Sequence, residues 1–258
     1  MTFYLGAPEP SWLGTTPRPL MVSHNRLRRV RSIEGLPVAG PGSPWLLDSG
    51  AYDVITRYGA YPDDVASYVR SVRRYAAAIG GLVWAAPQDL PCEDKALAAT
   101  GLTAREHALA SARSYVDCAA EWARISAWPC PFRPVAQGRE VADYLACCDE
   151  LERLGVDVAG LDILGVGSMC RRERTAEIVA VADALRTRTG ARLHGYGVKA
   201  DAADLFEDVD SMAWSDAARH RRFKHPACTA WHRVCTSCAV AAFDWHDRAL
   251  ADHPRHAA

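Results

Sequence analysis

The 258-residue sequence has almost no net charge, because 30 lysine and arginine residues oppose 31 aspartate and glutamate residues and leave a formal charge of −1. A global basic field that would attract nucleic acid is therefore absent. No apolar run approaches the roughly 20 residues that a membrane span needs. The N-terminus, MTFYLGAPEP, also lacks the basic and apolar regions of a signal peptide. We expect neither membrane binding nor export.

Nine cysteines, an odd number, occur without an export signal, so a disulfide framework is not expected. This cysteine usage favours a reducing cytosol. The chain has no internal repeat and no linker long enough to divide it, and its 49% hydrophobic content suffices for one large core. We expect a cytoplasmic protein with a single domain over residues 1–258.

Short apolar segments alternate with amphipathic helical segments along the chain, which indicates a parallel sheet. Eight strand candidates lie near residues 4, 21, 46, 83, 134, 162, 193 and 210. Eight is the number that closes a (β/α)8 barrel. An open doubly wound sheet is the alternative, but no G-x-G-x-x-G follows the first strand. The predicted fold is α/β, a (β/α)8 TIM-like barrel with a C-terminal zinc-binding segment in residues 225–258.

Polar residues follow four of the apolar strands: Asp48, Asp89, Gln137 and Asp210. The C-terminal strand ends of such a barrel converge on one mouth, where active sites lie. Glycines follow two further strands, at positions 165, 167, 195 and 197, where a flat ligand could approach the backbone. With aromatic Tyr52 nearby, these groups suit a purine-like base, because carboxylate and amide groups can bind its polar edge and the ring can stack on its face.

The C-terminal region carries a metal-binding pattern. Cys228-x3-His232-x2-Cys235-x2-Cys238 places four soft ligands within eleven residues, as a tetrahedral structural zinc site requires. His225 or His246 could replace His232 as the fourth ligand. The other six cysteines are expected to be free thiols.

Ordered motifs resemble those of the tRNA-guanine transglycosylases. Residues 48–52, Asp-Ser-Gly-Ala-Tyr, resemble the D-S-G-G-[FY] motif of that family, and residues 210–219 align without a gap with D-C-V-x-P-T-R-x-A-R. Residues 135–138 are similar to the V-Q-G segment, residues 164–167 to L-A-V-G, and residues 195–197 to G-V-G. Residues 86–93, 165–172 and 210–215 are closer to the DNA-modifying branch, the 7-deazaguanine DNA transglycosylases of phages and bacterial modification islands.

This resemblance implies base exchange. Asp210 matches the nucleophile, which would attack C1′, displace guanine and leave a covalent glycosyl-enzyme. Asp48 matches the acid/base aspartate, which would protonate the leaving purine and deprotonate the incoming one. The target nucleotide would have to leave its stack to reach them. The predicted substrate-binding residues are Tyr52, Asp89, Gln137, Gly165, Gly167, Ser168, His194 and Gly195.

Three departures from the tRNA enzymes bear on the substrate. Ala51 replaces the second motif glycine. Ser168 stands where the bacterial tRNA enzymes have a glutamate suited to a cationic aminomethyl base, so the neutral 7-cyano-7-deazaguanine (preQ0) is the expected incoming base. Asp216 replaces an arginine, which favours DNA over tRNA. Four basic residues are expected to bind the phosphates: Arg219, Arg221, Arg222 and Lys224.

The expected partners are thus DNA and a free 7-deazaguanine base, with structural zinc as the cofactor. If the gene is carried by a phage, the expected location is the host cytoplasm. Action on tRNA, a homodimer, and a non-catalytic nucleic-acid-binding subunit of the same fold stay open as alternatives. A zinc-dependent barrel hydrolase is disfavoured, because only His194 lies at a strand end and no H-x-H follows the first strand.

Overall fold

The computed structural model describes residues 2–40, 42–170, 172, 175–198 and 200–253. Eight parallel strands form one sheet in the order β4-β3-β2-β1-β8-β7-β6-β5. The strands are β1 (Thr2–Gly6), β2 (Leu20–Ser23), β3 (Trp45–Asp48), β4 (Leu82–Ala85), β5 (Val135–Ala136), β6 (Ile163–Val166), β7 (Arg192–Gly195) and β8 (Asp208–Ser211).

The two edges of this sheet meet. Ala85, at the end of β4, forms a parallel bridge with Phe132, just before β5. The amide of Ala85 donates to the carbonyl of Pro131 at 2.9 Å, and the amide of Arg133 donates back to the carbonyl of Ala85 at 3.1 Å. These bonds close the curled sheet, so the predicted TIM-like barrel is confirmed. Regular pairing of β5 is shorter than the predicted strand from Phe132 to Ala136, because only its last two residues pair with β6.

Helices follow most of the strands. They are α1 (His24–Leu27), α2 (Ala51–Tyr58), α3 (Val65–Ile79), α4 (Asp94–Thr100), α5 (Ala104–Ile125), α6 (Val141–Arg153), α7 (Thr175–Thr189), α8 (Ala213–Arg221) and α9 (Ala239–Asp252). The sequence predicts all four long helices that precede β4, β5, β6 and β7, over residues 62–79, from residue 103 onward, over 140–154 and over 175–189. The short helices α1, α2, α4 and α8 were not predicted. Among the described helices, none is long and apolar enough to cross a membrane.

Local capping explains where the long helices begin. The sequence predicts α3 from Pro62, but the carboxylate of Asp64 accepts a hydrogen bond from the amide of Ser67 at 2.7 Å, so the helix begins at Val65. The spacing of Thr103 and Glu106 predicts a capping box, and this box is present at the start of α5. Each cap satisfies amides that the first helical turn would leave without a partner.

No α-helix lies between β1 and β2, where the structure has only the 3-10 turn Pro10–Trp12. The C-terminal helix α9 covers this part of the barrel instead. His246 on α9 contacts the carbonyl of Phe3 at 2.9 Å through Nε2, and Phe243 packs edge-on against Trp12. Helix α9 thereby completes the wall around the first strand, and among the described residues no strand follows it.

The barrel interior is filled by large side chains, among them the buried residues Tyr4, Met21, Leu46, Trp84 and Ile163. His194 lies among these rings, with its centroid 4.9 Å from that of Trp84 and 4.8 Å from that of Tyr196. This packing blocks the barrel below the mouth, so ligands can enter only at the C-terminal strand ends.

Candidate active site

The three predicted aspartates come together at the barrel mouth. Asp48 ends β3, Asp210 lies in β8, and Asp89 follows β4. All three line a cavity of about 170 Å³ that also includes Tyr52 and Gln137. A second pocket of about 370 Å³ shares Asp48, Tyr52 and Asp210 and adjoins the cavity. We call this second pocket the outer pocket. The strand-end prediction therefore assembled one site from elements far apart in the sequence.

Asp210 is held through one carboxylate oxygen. Its Oδ1 accepts a hydrogen bond from the amide of Gly197 at 3.0 Å and lies 3.3 Å from Nε2 of His194. No hydrogen bond or ion pair within the described residues engages Oδ2. The carboxylate is therefore fixed from below by β7 and its following turn, while the second oxygen stays available at the cavity. A carboxylate oriented in this way suits nucleophilic attack on a bound substrate.

The surroundings of Asp48 in the cavity shift its pKa strongly. Removal from water and repulsion by Asp89 and Asp210 raise its pKa to about 7, although Gly50 and Ser23 donate hydrogen bonds that oppose the shift. A group with a pKa near neutrality can both give and take a proton, as general acid and base catalysis requires. Desolvation likewise raises the pKa of Asp89.

The loop after Asp48 requires glycine at one position. Gly50 precedes α2 with φ 76°, in the left-handed region. A Cβ at Gly50 would lie 2.2 Å from Nδ2 of Asn25, which donates to the carbonyl of Gly50 at 3.0 Å. The tight turn starts α2 at Ala51 and places Tyr52 in the cavity wall. Ala51, where the related motif has a second glycine, is buried in this first helical turn.

A hydrogen-bonded chain orients the polar edge of the cavity. Asp89 accepts from the hydroxyl of Ser49 at 2.7 Å and from the amide Nε2 of Gln137. The Oε1 atom of Gln137 accepts from the hydroxyl of Ser168 at 2.6 Å, and Ser168 in turn accepts from the amide of Cys92 at 2.7 Å. Each group thus has a defined donor or acceptor direction before any substrate arrives, and such preorganisation favours selective recognition of a polar base edge.

Three of the predicted substrate-binding residues are glycines, and they lie at different depths around the cavity. Gly167 lines the cavity, and a Cβ there would meet the Gln137 amide at 2.2 Å. Gly165 lies deeper, and its missing side chain leaves room for the ring of Tyr196. Gly195 packs against Val198 and Phe206, outside the cavity wall. The structure therefore places Gly167 against the cavity, whereas Gly165 and Gly195 belong to the packing around it.

His194, predicted to bind substrate, lies below the cavity. It is fully buried among aromatic rings and contacts Asp210 rather than the open space. Neither its Nδ1 atom nor the hydroxyl of Tyr196 has a hydrogen-bond partner among the described residues. His194 therefore contacts Asp210 from the barrel interior and does not line the cavity.

Sequence reasoning missed several groups that line or support the cavity. Glu93 and Tyr196 line it directly, beside Gly197, one of the four glycines that the sequence had indicated. Tyr61 supports it from behind, since its hydroxyl donates to the carbonyl of Asp89 at 2.7 Å. Glu93 follows Pro91 and Cys92 in a loop with no apolar period, so only its place in the 86–93 motif could have indicated it.

The basic residues predicted to bind phosphate, Arg219, Arg221, Arg222 and Lys224, are exposed at the end of α8 and in the loop beyond it. Lys224 donates to the carbonyl of Ala230 at 2.9 Å, which ties it to the cysteine-rich loop. None of the four lines the cavity or its outer pocket. They lie after the strand that carries Asp210, but along a different part of the surface.

The predicted metal ligands converge. The ligand atoms of Cys228, His232, Cys235 and Cys238 all lie within 4.8 Å of one another. His232 Nε2 lies 3.2 Å from the sulfur of Cys228 and 3.3 Å from that of Cys235. Three thiols and one imidazole at these separations could hold a metal ion such as zinc.

The two alternative fourth ligands are engaged elsewhere. His225 pairs with Asp244 at 3.3 Å through Nε2 and accepts from the amide of Ala227 through Nδ1. His246 contacts the carbonyl of Phe3. His232 is therefore the imidazole of the cluster, and the question that spacing left open is decided by geometry.

Comparison with known proteins bears on the activity of this site. A search of curated proteins finds no match to the chain. The family model described as DpdA, DeoxyPurine in DNA protein A, matches residues 1–258. The match supports a transglycosylase that modifies DNA, and it confirms the resemblance to the DNA-modifying branch. The chain belongs to the DeoxyPurine in DNA protein A family.

Proposed function

We propose that this protein replaces guanine in DNA with a 7-deazaguanine, through a covalent intermediate on Asp210. The observation that carries the proposal is the pairing of two carboxyl groups with different environments. Asp210 has one oxygen held by Gly197 and the other free toward the cavity. Asp48, across the same cavity, has its pKa raised to about 7. One group is thus suited to nucleophilic attack and the other to proton transfer.

The reaction would proceed in two balanced steps. An oxygen of Asp210 bonds to C1′ of the target nucleotide as the bond between C1′ and the guanine breaks, and protonated Asp48 gives its proton to the departing base. The incoming base then loses a proton to Asp48 and attacks C1′, which releases Asp210. Asp89 and Gln137 would bind the polar edge of either base, and Tyr52 would pack against its face.

We further propose that the incoming base carries the neutral nitrile of 7-cyano-7-deazaguanine. Ser168 lies in the cavity, where its single hydroxyl proton is donated to Oε1 of Gln137 at 2.6 Å. The nearby carboxylate of Glu93 accepts from the thiol of Cys170 at 3.5 Å through one oxygen, and its other oxygen lies 3.2 Å from the Ser168 oxygen. A carboxylate occupied in this way offers less to a cationic substituent than a free one would.

The substrate assignment predicts selective exchange. Labelled guanine should be lost from DNA, and not from tRNA, when the protein is incubated with 7-cyano-7-deazaguanine. Nucleoside mass spectrometry of both nucleic acids would measure the product, with the aminomethyl base as the competing substrate. Exchange into tRNA alone would overturn the DNA assignment, and preference for the aminomethyl base would overturn the nitrile assignment.

We also propose that the Cys228, His232, Cys235 and Cys238 cluster holds a structural zinc ion. Zinc there would join the loop after α8 to the start of α9, the helix that covers β1. We expect Cys235→Ser to lose about one zinc per chain and to lower the melting temperature, because a structural metal contributes folding free energy. Elemental analysis and thermal unfolding would test this.

The matched control is Cys130→Ser, since Cys130 is a half-buried free thiol outside the cluster. This variant should keep its metal. A natively purified wild-type protein without metal, or a Cys235→Ser variant with unchanged metal content and stability, would contradict the zinc assignment.

A further inference from the structure

Another depression, distinct from the cavity and from the outer pocket, lies beside them on the same face of the barrel. It has a volume of about 790 Å³ and is lined by α1, α2, Pro62 and Lys95. We call it the basic groove, after its charged residues Arg26, Arg28, Arg29, Arg57 and Lys95, which oppose the single carboxylate of Asp53. Its walls follow the C-terminal ends of β2, β3 and β4, so it opens toward the side from which a substrate must approach.

Most of this positive charge is not neutralised by the protein. Arg28 forms an ion pair with Asp63 at 3.1 Å. In the part of the chain that the structure describes, no ion pair engages Arg26, Arg29, Arg57 or Lys95, and all four are exposed. Cations that gather without carboxylate partners are suited to an external anion, and a series of them suits the repeated charges of a phosphodiester chain.

The basic groove is continuous with the active site. Arg26 and Asp53 line both the groove and the outer pocket that contains Asp48 and Asp210. A strand with one nucleotide turned into the cavity could therefore continue past Arg26 into the groove. The predicted phosphate-binding residues on and after α8 line neither depression.

An exposed aromatic ring lies within this positive surface. Tyr58 lines the basic groove with 64% of its surface exposed, and the Arg57 guanidinium lies 5.6 Å from the centre of its ring. An aromatic ring exposed to this extent gains little free energy from burial in the protein. A positive groove with an aromatic platform is the combination by which proteins bind single-stranded nucleic acid.

We propose that the basic groove binds the DNA strand beside the flipped nucleotide, with Arg29, Arg57 and Lys95 at its phosphates and Tyr58 stacked on a neighbouring base. The proposal rests on the proposed function, because it takes DNA as the substrate and the cavity as the place of exchange. It assigns the main phosphate contacts to α1, α2 and α4 rather than to α8.

Binding of a labelled DNA oligonucleotide over a salt series tests this assignment. The double variant Arg29→Ala with Arg57→Ala should bind more weakly, and its slope of log affinity against log salt should flatten by about one unit per lost contact. Tyr58→Ala should weaken single-strand binding by about tenfold or more without changing the slope. Arg70→Ala with Arg73→Ala, on the outer wall in α3, removes the same charge and should leave the slope unchanged.

An unchanged affinity and slope in the Arg29 and Arg57 variant would overturn the proposal, as would an equal loss in the α3 control, since net charge alone would then explain the effect. The Arg219→Ala with Arg221→Ala pair tests the α8 surface separately. The DNA-binding measurements contain no 7-deazaguanine base, so they do not depend on the exchange reaction. A wild-type protein that binds DNA through the groove but exchanges no base would refute the proposed function alone.

Discussion

Asp210→Asn should abolish base exchange and the covalent adduct while leaving the fold intact. An amide is a much poorer nucleophile than a carboxylate, and its oxygen can still accept the hydrogen bond that Gly197 donates at 3.0 Å. Loss of a catalytic nucleophile costs on the order of 10⁴- to 10⁶-fold in turnover. Exchange of labelled guanine would measure the loss, and denaturing electrophoresis with labelled DNA would reveal the adduct.

The control for this variant is Asp183→Asn. Asp183 lies on the outer helix α7, and its nearest ion-pair partner is Arg186 at 3.8 Å. This substitution removes the same charge far from the mouth and should preserve exchange. If Asp210→Asn exchanged guanine at a rate near that of the wild type, Asp210 could not be the nucleophile.

Asp48→Asn should lower turnover by about 10² to 10⁴-fold, because the missing function is proton transfer. The pH dependence of the wild-type rate should contain an ionisation near pH 7, where the raised pKa of Asp48 lies. In the variant that ionisation should disappear from the residual rate. DNA affinity should change much less than turnover, and a pH profile shared by both proteins would assign the proton chemistry to another group.

Asp48→Asn should lower turnover but raise the stability of the folded protein above neutral pH. Because the folded-state pKa of Asp48 exceeds its unfolded value of 3.8, the folded protein retains a proton that the unfolded chain releases between about pH 4 and pH 7. The contribution of Asp48 to stability therefore falls as pH rises through this window. Asp48→Asn should melt higher than wild type at pH 8, and this advantage should shrink toward pH 5. Equal melting differences at both pH values would contradict the raised pKa.

Local sequence signals were sufficient where one segment determines its own structure. The capping box of Thr103 needs only the residues of one helical turn, and the end of α7 at Thr189 follows from Gly190. The eight apolar strands predicted a barrel, since parallel strands joined by helices have few ways to bury both faces of their sheet. Because the C-terminal ends of barrel strands converge, the positions of Asp48, Asp89 and Asp210 after strands were enough to predict that they share one mouth.

Other features depended on contacts between distant segments. The sequence predicts that both His194 and Gly195 contact the substrate. Successive residues of β7 point to opposite faces of the sheet, however, so His194 lies among the aromatic rings of the barrel interior and Gly195 packs outward against Phe206. The register of β7 against β8 decides which side chain meets Asp210. That register is not readable from either strand alone.

The sequence by itself determined the barrel class, the family resemblance, the aspartates at the mouth and the three cysteines of the candidate metal-binding cluster. Tertiary structure decided that His232 completes the cluster, since His225 and His246 are held by Asp244 and Phe3. It also decided which basic surface adjoins the cavity. Arginine clusters near residue 28 and residue 221 look alike in the sequence, because charge patterns give no distance to a site. Only folding brings Arg26 to the same pocket as Asp210 and leaves the α8 arginines outside it.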